Sequence, residues 1–60
     1  MENTIIRVIE DEFGHLTFYD GNKEVGTTHK NADVMREIRR ITWNYELKGK
    51  AACFALDERS

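Results

Sequence analysis

Apolar and polar residues alternate at two different periods along this chain, and the change of period divides it. Residues 3–10 (Asn-Thr-Ile-Ile-Arg-Val-Ile-Glu) are rich in β-branched side chains and predict a strand. Asp11-Glu12-Phe13-Gly14 predicts a turn, with Gly14 free to take positive φ. Residues 15–20 alternate as a second strand, and Asp20-Gly21-Asn22-Lys23 is a hairpin signal. Residues 24–29 predict a shorter third strand, completing an antiparallel meander. From about residue 32 to 48 the period becomes helical: Val34, Ile38, Ile41 and Tyr45 recur at four-three-four spacing. Asn31 is placed to cap this helix, Asp33 falls in its first turn, and Lys48-Gly49 marks its end. Residues 51–56 (Ala-Ala-Cys-Phe-Ala-Leu) fit either a short helix, which the alanines favour, or a fourth strand. The expectation is a single α+β domain over residues 1–60.

Pairing Ile9 with Phe18 would put Ile5, Ile9, Leu16, Phe18, Val25 and Thr27 on the sheet face that the helix covers. Thr4, Ile6, Val8, Thr17 and Tyr19 would then point the other way. One helix covers only one face of a sheet. Ile6, Val8 and Tyr19 are therefore a candidate contact face. The helix offers a second candidate. Arg36, Arg40, Trp43 and Leu47 cluster opposite its apolar stripe, with Arg39 at the edge. Tryptophan and arginine are enriched at binding hot spots. A competing reading packs Trp43 under the C-terminal segment.

Composition narrows the class. Sixty residues, 40% hydrophobic and 33% charged, describe a small globular chain with one cysteine, so no internal disulfide staples it. A lone thiol suits a reducing compartment, and Met1-Glu2-Asn3 lacks the basic start and apolar core of a signal peptide, so the expected location is the cytoplasm. No apolar run approaches a membrane span. The net charge of −2 conceals an asymmetry. Residues 1–29 carry six acidic against two basic side chains, and residues 30–50 six basic against three acidic.

Catalytic equipment is not visible. Glu10-Asp11-Glu12 reads as a solvated turn, and Cys53 sits among apolar neighbours. His15 and His29 fall at the open end of the second hairpin, but two imidazoles with Asp11 or Glu12 do not define a zinc site. Asp20-Gly21-Asn22 lacks calcium-loop spacing. No enzyme, cofactor or metal is expected. The first expectation is a non-catalytic protein-binding module that acts by occluding a surface: an inhibitor, adaptor or antitoxin-like regulator of phage or mobile-element type. Its partner would be another protein or a second copy of itself. The alternative is a nucleic-acid-binding domain using the basic helix. A third reading makes Glu10, Asp11, Glu12, Asp20 and Glu24 an acidic mimic of nucleic acid. The order strand–strand–strand–helix resembles the arm-binding domains of phage integrases, and equally HicB-type antitoxins. Both resemblances are of element order and assign no residue a role.

Overall fold

The computed structural model describes residues 2–57. Strands β1 (Glu2–Glu10), β2 (His15–Asp20) and β3 (Lys23–His29) form the meander. Helix α1 (Val34–Glu46) follows, and then strand β4 (Lys50–Asp57). The order across the sheet is β3-β2-β1-β4, with β4 parallel to β1 and the other pairs antiparallel. The chain is thus an α+β fold with a four-stranded mixed sheet and one helix. The helical reading of residues 51–56 is overturned. Gly49, at φ 75°, turns the chain just after the helix, and Lys50–Asp57 lines up against β1 from Glu2 to Ile9. Eight ladder pairs with β1 outweigh the helix preference of three alanines.

The helix start also moves. Asp33, not Asn31, is the N-cap: its Oδ1 accepts from the Arg36 amide at 3.2 Å. Asn31 lies two residues earlier, where its amide donates to His29 Nδ1 at 3.2 Å.

The largest correction concerns register. Val8, not Ile9, pairs with Phe18. A shift of one residue exchanges the faces of a strand. Ile6 and Val8 therefore lie under α1 with Leu16, Phe18, Ile41 and Tyr45 as the buried core, and Val25, Val34, Ile38, Ala52 and Phe54 pack against them. The Phe18 and Phe54 rings meet edge to face, 6.0 Å apart. Ile5, Arg7, Ile9, Thr17 and Tyr19 take the far face by alternation. Arg7 is the sequence signal for this arrangement. It shares its parity with Ile5 and Ile9, and a charged residue belongs on the side facing water.

The helix sits close over β3 at Gly26. The ladder slips there: Phe18 pairs with Gly26 and Tyr19 with Glu24, so Val25 is the extra residue of a bulge. A Cβ on Gly26 would lie 2.9 Å from an Arg40 guanidinium nitrogen and 3.1 Å from Ile41 Cδ1. Glycine at this position lets α1 sit down on the sheet. Tyr45 anchors the other end of the helix, its hydroxyl donating to Asp20 Oδ2 at 2.7 Å. Burial, reinforced by that carboxylate, pushes the Tyr45 pKa up to about 12.

Candidate functional site

The helix packs one side onto the sheet and leaves the other open. Trp43 is 63% exposed and Leu47, one turn on, 68% exposed. Trp43 is therefore not packed beneath the C-terminal segment, because β4 is occupied at the sheet edge alongside β1. Arg36 and Arg39 are exposed on the same outward side. Positions 36, 39, 43 and 47 follow the three-or-four spacing of a helical stripe, about 16 Å from end to end at 1.5 Å per residue. Among the described residues, neither arginine has an ion-pair partner. The stripe is thus an aromatic and an aliphatic side chain with two free cations at its N-terminal end.

Arg40 separates from the others. Its guanidinium is paired with Glu37, one turn before it, and donates to the Val25 carbonyl of the β3 bulge at 3.1 Å. It fastens the helix to the sheet margin and caps an exposed carbonyl there. The expectation that Arg40 belongs to the outer contact set is corrected accordingly. A groove of about 460 Å³ lies along this flank, walled by Val25, Arg40, Ile41, Asn44 and Tyr45.

The second predicted surface is also rearranged. Ile6 is fully buried and Val8 nearly so, leaving only Tyr19 of that set on the far face. Tyr19 is half-buried there, with the Arg7 guanidinium 5.9 Å from its ring centroid. Arg7 also pairs with Asp57 at 3.5 Å and donates to the Gly21 carbonyl at 3.2 Å. The far face therefore mixes the Arg7, Asp57 and Tyr19 cluster with Ile5 and Ile9, rather than forming a wholly apolar plate.

The third cluster is at the β1–β2 turn. Asp11 Oδ1 accepts from the amides of Phe13 and His15 at 2.9 and 2.8 Å, and its Oδ2 lies 3.2 Å from His15 Nδ1. Chiefly the His15 amide, then the Phe13 amide and the His15 ring, hold the Asp11 carboxyl below its ordinary value. The His15 and His29 rings meet edge to face at 5.3 Å. These contacts explain the turn through local backbone geometry. Among the described residues, no three His, Cys, Asp or Glu side chains are grouped to hold a metal ion.

No protein-family model, curated protein or solved structure matches this chain. The likeness to integrase arm-binding domains and HicB-type antitoxins therefore rests on element order alone. No helix among the described residues is long and apolar enough to cross a membrane.

Proposed function

We propose that this protein is a small, non-catalytic protein-binding module that docks its partner on the outer face of α1, around Trp43. The observation that carries the reading is a tryptophan 63% exposed on a helix whose core-facing side is already packed. Leaving an indole in water has no folding benefit, whereas a partner that covers it gains a large apolar contact with little loss of side-chain freedom. Leu47 extends the apolar centre, and Arg36 and Arg39 set the charge preference. The partner segment that fits has an apolar centre with carboxylates towards the N-terminal end of α1. The module acts by occluding that segment, in the manner of an inhibitor, adaptor or antitoxin-like regulator.

The nucleic-acid reading loses support from Arg40. With that guanidinium committed to Glu37 and Val25, the outer stripe keeps two arginines, few for phosphate binding by a chain of net charge −2.

The test uses the full chain as bait in its native host, beside Trp43→Ala and the double variant Arg36→Glu/Arg39→Glu. One protein should be retained by wild type and by an Ile5→Ala control, and lost from both helix variants. Added in purified form, that protein should shift the emission of the single tryptophan to the blue, and its affinity should fall as salt rises. A partner kept by both helix variants contradicts the proposal. Salt-sensitive binding of duplex DNA or RNA would transfer the face to the nucleic-acid reading.

A further inference from the structure

Two histidines stand directly opposed across β2 and β3, and their ring nitrogens have unlike partners. The rings of His15 and His29 meet edge to face at 5.3 Å. His15 Nδ1 lies 3.2 Å from Asp11 Oδ2. The Asp11 carboxyl is held below its ordinary value chiefly by the His15 amide, and a carboxylate only accepts. His15 therefore carries a hydrogen on Nδ1. At His29 the same ring atom has the opposite role, because Nδ1 accepts from the Asn31 amide at 3.2 Å. A ring nitrogen that accepts has no hydrogen, so His29 is neutral in this arrangement and carries its hydrogen on Nε2.

The two bonds respond differently to acid. An imidazolium donates from both nitrogens. A proton added to His15 goes to Nε2 and leaves the Nδ1 bond to Asp11 in place. A proton added to His29 goes to Nδ1, where the new N–H would face the Asn31 N–H, donor against donor.

We propose that the neutral ring of His29 is an acid-released latch on the link between β3 and α1. The link runs from Lys30 to Asp33, the N-cap of the helix. On either side of Asn31 it is tied by backbone bonds alone. The Lys30 amide donates to the Gly14 carbonyl at 2.7 Å, and the Ala32 amide to the His29 carbonyl at 2.9 Å. Neither bond titrates in this range, so acid frees the middle of the link while its first anchor stays tied to the turn.

The charged groups around the pair leave His29 without a second latch. Asp11 is committed to His15, and Glu12 follows it in the exposed turn. Glu10, at the end of β1, pairs with Lys30 at 2.9 Å. Lys30 itself lies beside His29 over Gly14, where a Cβ would be 3.3 Å from Lys30 Cε and 3.5 Å from His29 Nε2. Further along the same face Arg7 and Asp57 pair with each other, and at the helix start the Asp33 carboxylate accepts from the Arg36 amide. Among the described residues, none of these carboxylates is bonded to His29. This inference does not depend on the function proposed for Trp43.

Histidine changes charge between about pH 5 and 8, so NMR of the full chain across that range reads the latch directly. At the alkaline end, long-range proton–nitrogen spectra should place the hydrogen of His15 on Nδ1 and that of His29 on Nε2. As the His29 ring titrates, the Asn31 amide should lose about fivefold protection from exchange, corrected for the intrinsic effect of pH, which is the loss of one ordinary hydrogen bond. The Lys30 and Ala32 amides should keep theirs. His29→Asn, at an exposed position, supplies an uncharged acceptor and should make the Asn31 protection independent of pH. His29→Phe should leave that amide unprotected throughout. The same tautomer at both rings overturns the proposal. So does an Asn31 amide indifferent to the His29 titration, or one that loses protection equally in His29→Asn.

Discussion

Both sides of α1 carry apolar side chains, and they meet different fates. The inner side presents Val34, Ile38, Ile41 and Tyr45 to the sheet, where Ile41 is 1% exposed. The outer side presents Trp43 and Leu47 to open surroundings. Every inner residue is accounted for by the fold, through Ile6, Val8, Leu16 and Phe18 beneath it. The outer pair has no counterpart in the fold. The difference separates residues that make the structure from residues that the structure displays.

Substitutions on the inner side should break that separation most visibly. Ile41→Ala removes a fully enclosed side chain from a core of six buried residues and should cost about 2–5 kcal/mol. For a domain this small, urea denaturation should find much of its stability gone. Gly26→Val tests the seat of the helix from the opposite partner. Its side chain would run into Ile41 and Arg40, and the unfolding free energy should fall by about 1–3 kcal/mol.

Tyr45→Phe is gentler. It removes the hydroxyl that donates to Asp20 and should cost about 1 kcal/mol at neutral pH. It also has a pH signature. The folded-state pKa of about 12 lies above the ordinary tyrosine value of 10.0. The folded protein thus holds this proton more tightly than the unfolded chain does. The corresponding stability is complete below pH 10 and is lost as pH rises towards 12. Denaturation across that range should show a decline in wild type that the phenylalanine variant lacks. The smallest effect belongs to the outer side. Trp43→Ala should change stability by no more than about 0.5 kcal/mol, as surface substitutions usually do.

Much of this contrast is legible in the sequence. The helical period separates the Val34–Ile38–Ile41–Tyr45 stripe from the side bearing Arg36, Trp43 and Leu47, and the structure packs the first against the sheet, with Ile41 and Tyr45 buried, and exposes the second. Three features needed the tertiary frame. β1 is apolar at both parities, with Ile5 and Ile9 against Ile6 and Val8, so hydrophobicity alone leaves its face open. Arg7 resolves it once a charged residue is taken to mark the solvent side. Residues 51–56 have helix-forming alanines, and their strand state depends on a free edge of β1, a long-range partner that no local pattern reveals. Arg40 lies on the outward side by spacing, but its length lets it reach back to the Val25 carbonyl, which the β3 bulge leaves accessible.

The same bulge connects this contrast to the sheet edges. At β3, Arg40 and Gly26 bind the helix to the sheet and finish the edge together. At β4 neither device is present, and the strand runs in unbroken register along β1.

The most direct test of the account is a paired measurement on Trp43→Ala: its unfolding midpoint, and its affinity for the protein that wild type captures. The account predicts an unchanged midpoint with binding reduced at least tenfold, a difference of about 1.4 kcal/mol. A variant that unfolds as readily as Ile41→Ala, or that binds its partner as tightly as wild type, would contradict it.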